Sequence, residues 1–303
     1  MKRNIVICIV FLCMVLASHA QEPVLHFSSN GEFKIVQFTD LHYKWGKKAS
    51  NTAIECMEEV LDAEKPDFVM VTGDLVYSAS VAKILPILFA CISERQIPFA
   101  VVFGNHDEQF DCTLSEIYDI ISAMPYNIQP DRNGAFSPDY ALPVMSSDGS
   151  HAAAVLYCLD SHARPKLQGI GGYDWLKFDQ INWYREQSMR YTKENGGKPL
   201  PALAFFHIPL LEYNEIVGAE TTLGQKEEGI ASPKINTGFF ASLVEMKDVM
   251  ATFAGHDHDN DYIGMLYNVG LAFGRVSGWD AYGDFERGGR IIELREGIIS
   301  TRA

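Results

Sequence analysis

Ile97-Pro98-Phe99-Ala100-Val101-Val102-Phe103-Gly104-Asn105-His106-Asp107 reads as a buried strand that stops at a glycine and delivers three polar side chains. Four more apolar runs end in the same manner. Phe33 to Phe38 leads to Asp40-Leu41-His42, and Asp67 to Thr72 leads to Gly73-Asp74. Leu203 to Phe206 leads to His207, and Val249 to Ala254 leads to Gly255-His256-Asp257-His258. Asp, His and Asn are side chains that bind hard and borderline divalent cations. In open α/β sheets, ligands gather beyond the carboxyl ends of the strands, where all five clusters fall. Five clusters in this order point to two metal ions in one site, and so to phosphate-ester chemistry.

The segments between these runs supply the helices. Asn51 to Lys65 places Ile54, Met57, Val60 and Leu61 on one face, and Pro66 stops it. Ser80 to Arg95 is a second helix that carries Pro86. The resulting β-α-β-α-β alternation predicts a largely parallel sheet with covering helices. Thr113-Leu114-Ser115-Glu116 is a capping-box signature for a short helix ending before Pro125. Further on, His151 to Leu159 reads as a strand, while Asp174 to about Tyr191 and Phe239 to Met246 read as helices. Asn127 to Ser150 and Leu211 to Asn236 read as long loops, and the last forty residues as short antiparallel strands. The expectation is one α/β domain with two long surface loops.

The first twenty residues differ in character. Lys2 and Arg3 precede an apolar run from Ile5 to Ala17, and Ser18-His19-Ala20 supplies small residues at a cleavage site. That pattern predicts a signal peptide over residues 1–20, an enzyme domain over 21–303, and a periplasmic or secreted location. The run is too short to span a hydrocarbon core of about 30 Å, so no stable membrane insertion is expected after cleavage. Loss of Lys2 and Arg3 would move the formal net charge from −14 to −16. Such an acidic chain is a poor partner for nucleic acid, whose phosphates demand Lys and Arg. Cys56, Cys91, Cys112 and Cys158 form no zinc or redox motif and are read as free thiols.

Within the clusters, Asp40 and His42, and likewise His256 and His258, are spaced so that an extended strand would point both to one side. The ordered set D-x-H, G-D, G-N-H-D, H and G-H-x-H resembles the calcineurin-like metallophosphoesterase superfamily, from about Phe33 to about Arg290. Phe205-Phe206-His207-Ile208-Pro209-Leu210, Gly172-Tyr173-Asp174-Trp175-Leu176 and Ala254 to Tyr262 (AGHDHDNDY) are similar to its purple-acid-phosphatase-like branch in plants, fungi and bacteria.

The resemblance implies a two-sheet β-sandwich flanked by helices. It implies Asp40, His42 and His258 on a first ion, Asp74 bridging, and Asn105, His207 and His256 on a second. His106 would be a non-ligand catalytic histidine that stabilises the transition state or protonates the leaving group, with Asp107 orienting it. Fe, Mn or Zn would suit these ligands. The implied reaction is hydrolysis of small phosphomonoesters by water activated at the metal pair. Phosphodiester or cyclic-nucleotide hydrolysis, or a non-catalytic binding role, are the alternatives. Purple acid phosphatases proper carry D-x-G at the first motif and a ligating tyrosine after the second aspartate. His42 stands at the first position here, so Tyr77 is expected to pack rather than ligate.

Several neighbours receive plainer expectations. Asp257 should point away from the ions, and Tyr173, Trp175, Phe178 and Trp183 are read as core. His162 is left open between pocket lining and surface. Gly104-Asn105-His106 is no P-loop, since no G-K-[ST] follows, and no G-x-S-x-G elbow occurs.

Overall fold

The computed structural model describes residues 24–130 and 136–297. The expected signal peptide lies outside them. Eleven strands and five α-helices follow in the order β1 (Glu32–Phe38), α1 (Lys48–Glu64), β2 (Phe68–Thr72), α2 (Val81–Ser93), β3 (Phe99–Val102) and α3 (Leu114–Ser122). Then come β4 (Tyr140–Met145), β5 (Ala152–Cys158), α4 (Phe178–Glu194), β6 (Ala202–Phe205), β7 (Leu223–Lys226), α5 (Phe239–Met246), β8 (Val249–Ala254), β9 (Asn260–Leu266), β10 (Val269–Phe273) and β11 (Arg290–Arg295).

They build two sheets, ordered β11-β1-β2-β3 and β4-β5-β6-β8-β10-β9-β7. The centre of each sheet is parallel, and antiparallel strands are added at the flanks. The reason is visible in the strands. FVMVT, FAVV and ALAF are buried at every residue, as parallel strands covered on both faces must be. Phe33, Ile35, Phe68, Met70, Leu156, Leu203, Phe205 and Phe253 fill the space between the sheets. Helices α1, α2 and α3 cover the outer face of the smaller sheet, and α4 and α5 cover that of the larger. The α/β sandwich flanked by helices is therefore observed.

Helix ends follow their local chemistry. Thr113 Oγ1 accepts from the Glu116 amide, and Glu116 returns a bond to the Thr113 amide, so the capping box forms. The α2 N-terminus takes its acceptor from Asp111, whose carboxylate receives the Ser80 and Val81 amides. That tie anchors the loop after His106 to the helix.

Two elements were not expected. β4 lies inside the segment read as a loop, and Pro143 disguises it. An edge strand tolerates the missing amide donor, and β4 is an edge. β7 lies in the second expected loop and is exposed throughout, so it has no apolar pattern to find. Phe178, read as core, begins α4 at 70% exposure and is corrected to a surface residue. The four cysteines are free, with Cys91 and Cys158 buried.

Candidate metal centre

The parallel strands of both sheets end on the same side, and the five clusters leave from those ends. Backbone bonds extend the pairing within each sheet past the strand ends there. Asp40 N donates to Gly73 O at 3.1 Å, His42 N to Asp74 O at 2.8 Å, and Gly255 N to His207 O at 3.0 Å. The glycines are required by close approach. A Cβ on Gly104 would collide with Asp74, one on Gly73 with Gly104 and His207, and one on Gly255 with Thr39 and Asp40.

The expected strand alternation is not how the ligands converge. β1 ends at Phe38, and Asp40 and His42 both adopt left-handed backbone, with φ of 55° and 45°. Asp74 and His256 do the same, at 53° and 78°. Each such non-glycine residue costs on the order of 1–3 kcal/mol, and such strain concentrates at functional sites. The chain curls at each strand end, and the curl aims the side chains inward.

All seven expected ligands are buried. Asp40, His42 and His258 form one triad, and Asp74, His207 and His256 another, each with its donor atoms within 4.8 Å of one another. Asp40 Oδ2 is engaged by the His256 amide at 2.9 Å and by Thr39 Oγ1 at 2.7 Å. Its Oδ1 has no hydrogen-bond partner but faces the Nε2 atoms of His258, His42 and His207 at 3.3, 3.8 and 3.9 Å. Asp74 Oδ1 accepts from the His106 amide at 2.8 Å. Its Oδ2 faces His42 of one triad at 3.4 Å and His207 of the other at 3.3 Å. Asp74 thus stands at the junction of the two groups.

Tautomers are set from behind. His207 Nδ1 lies 2.7 Å from Thr72 O, and His258 Nδ1 lies 3.1 Å from Tyr282 O. Carbonyls only accept, so both Nδ1 atoms carry hydrogen and both Nε2 atoms are left to bind. His256 Nδ1 faces His207 Nε2 at 3.2 Å. The Oδ1 of Asn105 is buried without a partner, as is His42 Nε2. Buried polar atoms are normally paired, and these converge with two carboxylates on one spot. That donor set fits two cations.

The electrostatics carry the same message. Burial opposes charge on His207, yet Asp74 and Asp40 overcome it and raise its pKa to about 10. Burial and the neighbouring His207 lower His256 to about 3. One site thus holds imidazoles pushed in opposite directions, with a proton on His207 balancing carboxylate charge. A metal ion would take that balancing role and needs the imidazole neutral.

Asp107 requires a correction. It does not orient His106. Its carboxylate accepts from the backbone amides of Leu75 at 2.7 Å, Gly104 at 2.7 Å and Asp74 at 3.0 Å. Burial and the charge of Asp74 push its pKa to about 7 against those three donors. Asp107 is a brace between two ligand loops. The partner of His106 is Gln109, whose Oε1 lies 2.8 Å from His106 Nδ1 while its Nε2 donates to Asn105 O at 3.3 Å. A side-chain amide three residues on, in a turn, was the available signal. His106 Nε2 lies 3.9 Å from Asp74 Oδ2.

The open side is a cleft of about 210 Å³ lined by Tyr77, His106, Tyr173 and Tyr282 among others. Tyr77 packs edge-on against His42 and His106, with centroids at 5.4 and 4.8 Å. Tyr282 stacks on His258 at 3.9 Å, and Tyr173 meets His256 at 4.2 Å. Tyr282 was not singled out in the sequence, because nothing local marks a residue that reaches the site from the C-terminal segment. Asp257 points away, as expected, accepting from Asn260 Nδ2 and the Ala231 amide.

His162 lies beside the adjoining groove, in left-handed backbone at φ 61°. Its Nε2 lies 2.8 Å from Gln180 Oε1, and Gln180 Nε2 donates to Asp139 at 2.9 Å. Burial raises the Asp139 carboxyl to about 6. A raised folded-state pKa stabilises the fold below the unfolded value and loses that contribution as pH rises through the folded one. Asp139→Asn should therefore lose up to about 3 kcal/mol less stability than the native chain between pH 4 and 6. Chemical denaturation of both proteins at each pH checks this, and parallel profiles would contradict it.

The sequence pattern of the calcineurin-like phosphoesterase family matches residues 33–260. The chain is 32% identical to "Probable inactive purple acid phosphatase 29" of Arabidopsis thaliana, over 93% of this chain and 82% of that protein. It is 31% identical to "Phosphatase DCR2" of Saccharomyces cerevisiae over 78% of its length, which spans 46% of the yeast protein. A dimetal phosphatase from Danio rerio shares the fold with a TM-score of 0.58 at 13% identity, covering 87% of this chain and 93% of that one. With its sequence match, fold and two buried His/Asp triads in agreement, the chain belongs to the calcineurin-like phosphoesterase family.

Proposed function

We propose that this protein hydrolyses small phosphomonoesters at the paired triads. The observation that supports this most is Asp74 Oδ2 between the two histidine groups, with His106 beside it at the cleft wall. Metal ions held by Asp40, His42, Asp74, Asn105, His207, His256 and His258 would supply Lewis-acid polarisation of the phosphoryl group and a nucleophile derived from water. The chain's own groups do the rest. A hydrogen on His106 Nδ1, donated to Gln109, leaves Nε2 to exchange a proton with the leaving-group oxygen. The strained, hydrogen-bonded ligand loops hold the donors in place before substrate arrives. Tyr77, Tyr173 and Tyr282 narrow the cleft, which favours a small ester over a bulky diester. The leader-like composition of residues 1–20 supports action outside the cytoplasm.

A second reading has one observation behind it, since relatives carry names that call them inactive. A non-catalytic metal or phosphate binder would keep the ligands and show no turnover. Metal-loaded protein assayed on p-nitrophenyl phosphate and bis(p-nitrophenyl) phosphate separates the readings. The monoester should turn over at least tenfold faster. A faster diester would replace the proposal with a phosphodiesterase, and hydrolysis of neither would support the binder.

A further inference from the structure

A second cavity of about 1040 Å³ opens beside the metal centre and shares Gly104 and Asn105 with it. It is far larger than a phosphate requires, and its wall carries Arg164, Lys166 and Lys177 with Trp175 and Leu167. The same wall carries Glu108, Asp160 and Asp174, with Asp160 facing His162 at 3.4 Å, so what matters is which cations these acids leave unpaired. Lys177 is paired with Asp174 and lies over the Trp175 ring. Arg164 and Lys166 have no carboxylate partner among the described residues. Among the described residues Arg164 donates to Gly172 O, at 3.2 Å, and its guanidinium lies over the Tyr173 ring at 4.3 Å. Tyr173 in turn contacts His256 at 4.2 Å. Two ring contacts therefore connect the guanidinium to the metal centre.

The backbone leading to Arg164 is held with some effort. His162 is kept in left-handed conformation, its ring fixed by Gln180 and 3.4 Å from Asp160. Strain of this kind persists only where the surroundings over-determine it. Here it fixes the turn that carries Arg164 to the groove.

We infer that Arg164 and Lys166 bind a second anionic group on the substrate, so that preferred substrates are organic phosphates whose leaving portion is itself negatively charged. The inference rests on the phosphoesterase reading for turnover, but not for binding. A guanidinium on a tyrosine face keeps its outward N–H donors free for phosphate or carboxylate oxygens. The Leu167 and Trp175 side chains give the carbon skeleton between the two anions an apolar surface.

The test uses a matched pair, fructose 1,6-bisphosphate and fructose 6-phosphate, with metal-loaded full-length protein. The native protein should prefer the bisphosphate, read as the ratio of KM values. In R164Q/K166Q that ratio should fall roughly tenfold or more, and Arg164→Lys should restore part of it. No preference in the native protein, or a ratio unchanged in the double variant, would overturn the inference while leaving the phosphoesterase reading intact. If neither sugar phosphate nor p-nitrophenyl phosphate is hydrolysed, the phosphoesterase reading fails, and calorimetric Kd values for the same pair decide the inference by the same ratio.

Discussion

His106→Ala is expected to retain its metal ions and to lose turnover by about 10²–10⁴-fold, the usual worth of a positioned acid–base group. The side chain contributes to neither triad, and it is the backbone amide of His106 that bonds to Asp74. Alanine keeps that amide, so the ligand loops should stay in place. What disappears is the imidazole whose Nδ1 is fixed by Gln109. The loss should fall on kcat and be largest for esters with poor leaving groups, which need the proton most. Gln109→Ala should give a weaker version of the same phenotype. Metal analysis beside steady-state kinetics on p-nitrophenyl and alkyl phosphates measures both parts. Near-native kcat, or loss of metal, would remove His106 from the chemistry.

Asp74→Ala is expected to abolish two-ion binding and with it all measurable phosphate release. Its Oδ2 faces histidines of both triads at 3.4 and 3.3 Å, whereas Asp40 Oδ1 comes no nearer than 3.9 Å to His207 of the second triad. The variant should fold. Removing a buried carboxylate relieves desolvation, although His207 then loses the first of the two charges that raise its pKa. His207 should consequently become easier to deprotonate. Mass-spectrometric metal counting should find at most one ion per chain. Two ions retained would reject the junction assigned to Asp74.

Much of this was legible in the sequence because the fold and the site share one grammar. An apolar run that ends in Gly-Asp or Gly-Asn-His specifies a covered parallel strand and a ligand at its carboxyl end together. Helix α5 and strand β8 have the boundaries their periodicity predicts. What escaped depended on long-range geometry. The left-handed turns at Asp40 and His42 are imposed by bonds to Gly73 and Asp74 from another strand, and no local propensity announces them. Asp107 sits next to His106 in the chain, yet its carboxylate turns inward to three amides, where burial rewards every satisfied donor. Tyr282 and Arg164 lie in segments without periodicity and meet the site only through tertiary contacts.

The most direct measurement is phosphate release from p-nitrophenyl phosphate by chelated protein titrated with Mn, Zn or Fe, with bound metal counted at each point. Activity should stay near zero through the first equivalent or rise with it only weakly, then saturate at two ions per chain. Saturation with a single ion, or two bound ions without phosphate release, would contradict a dinuclear phosphoesterase.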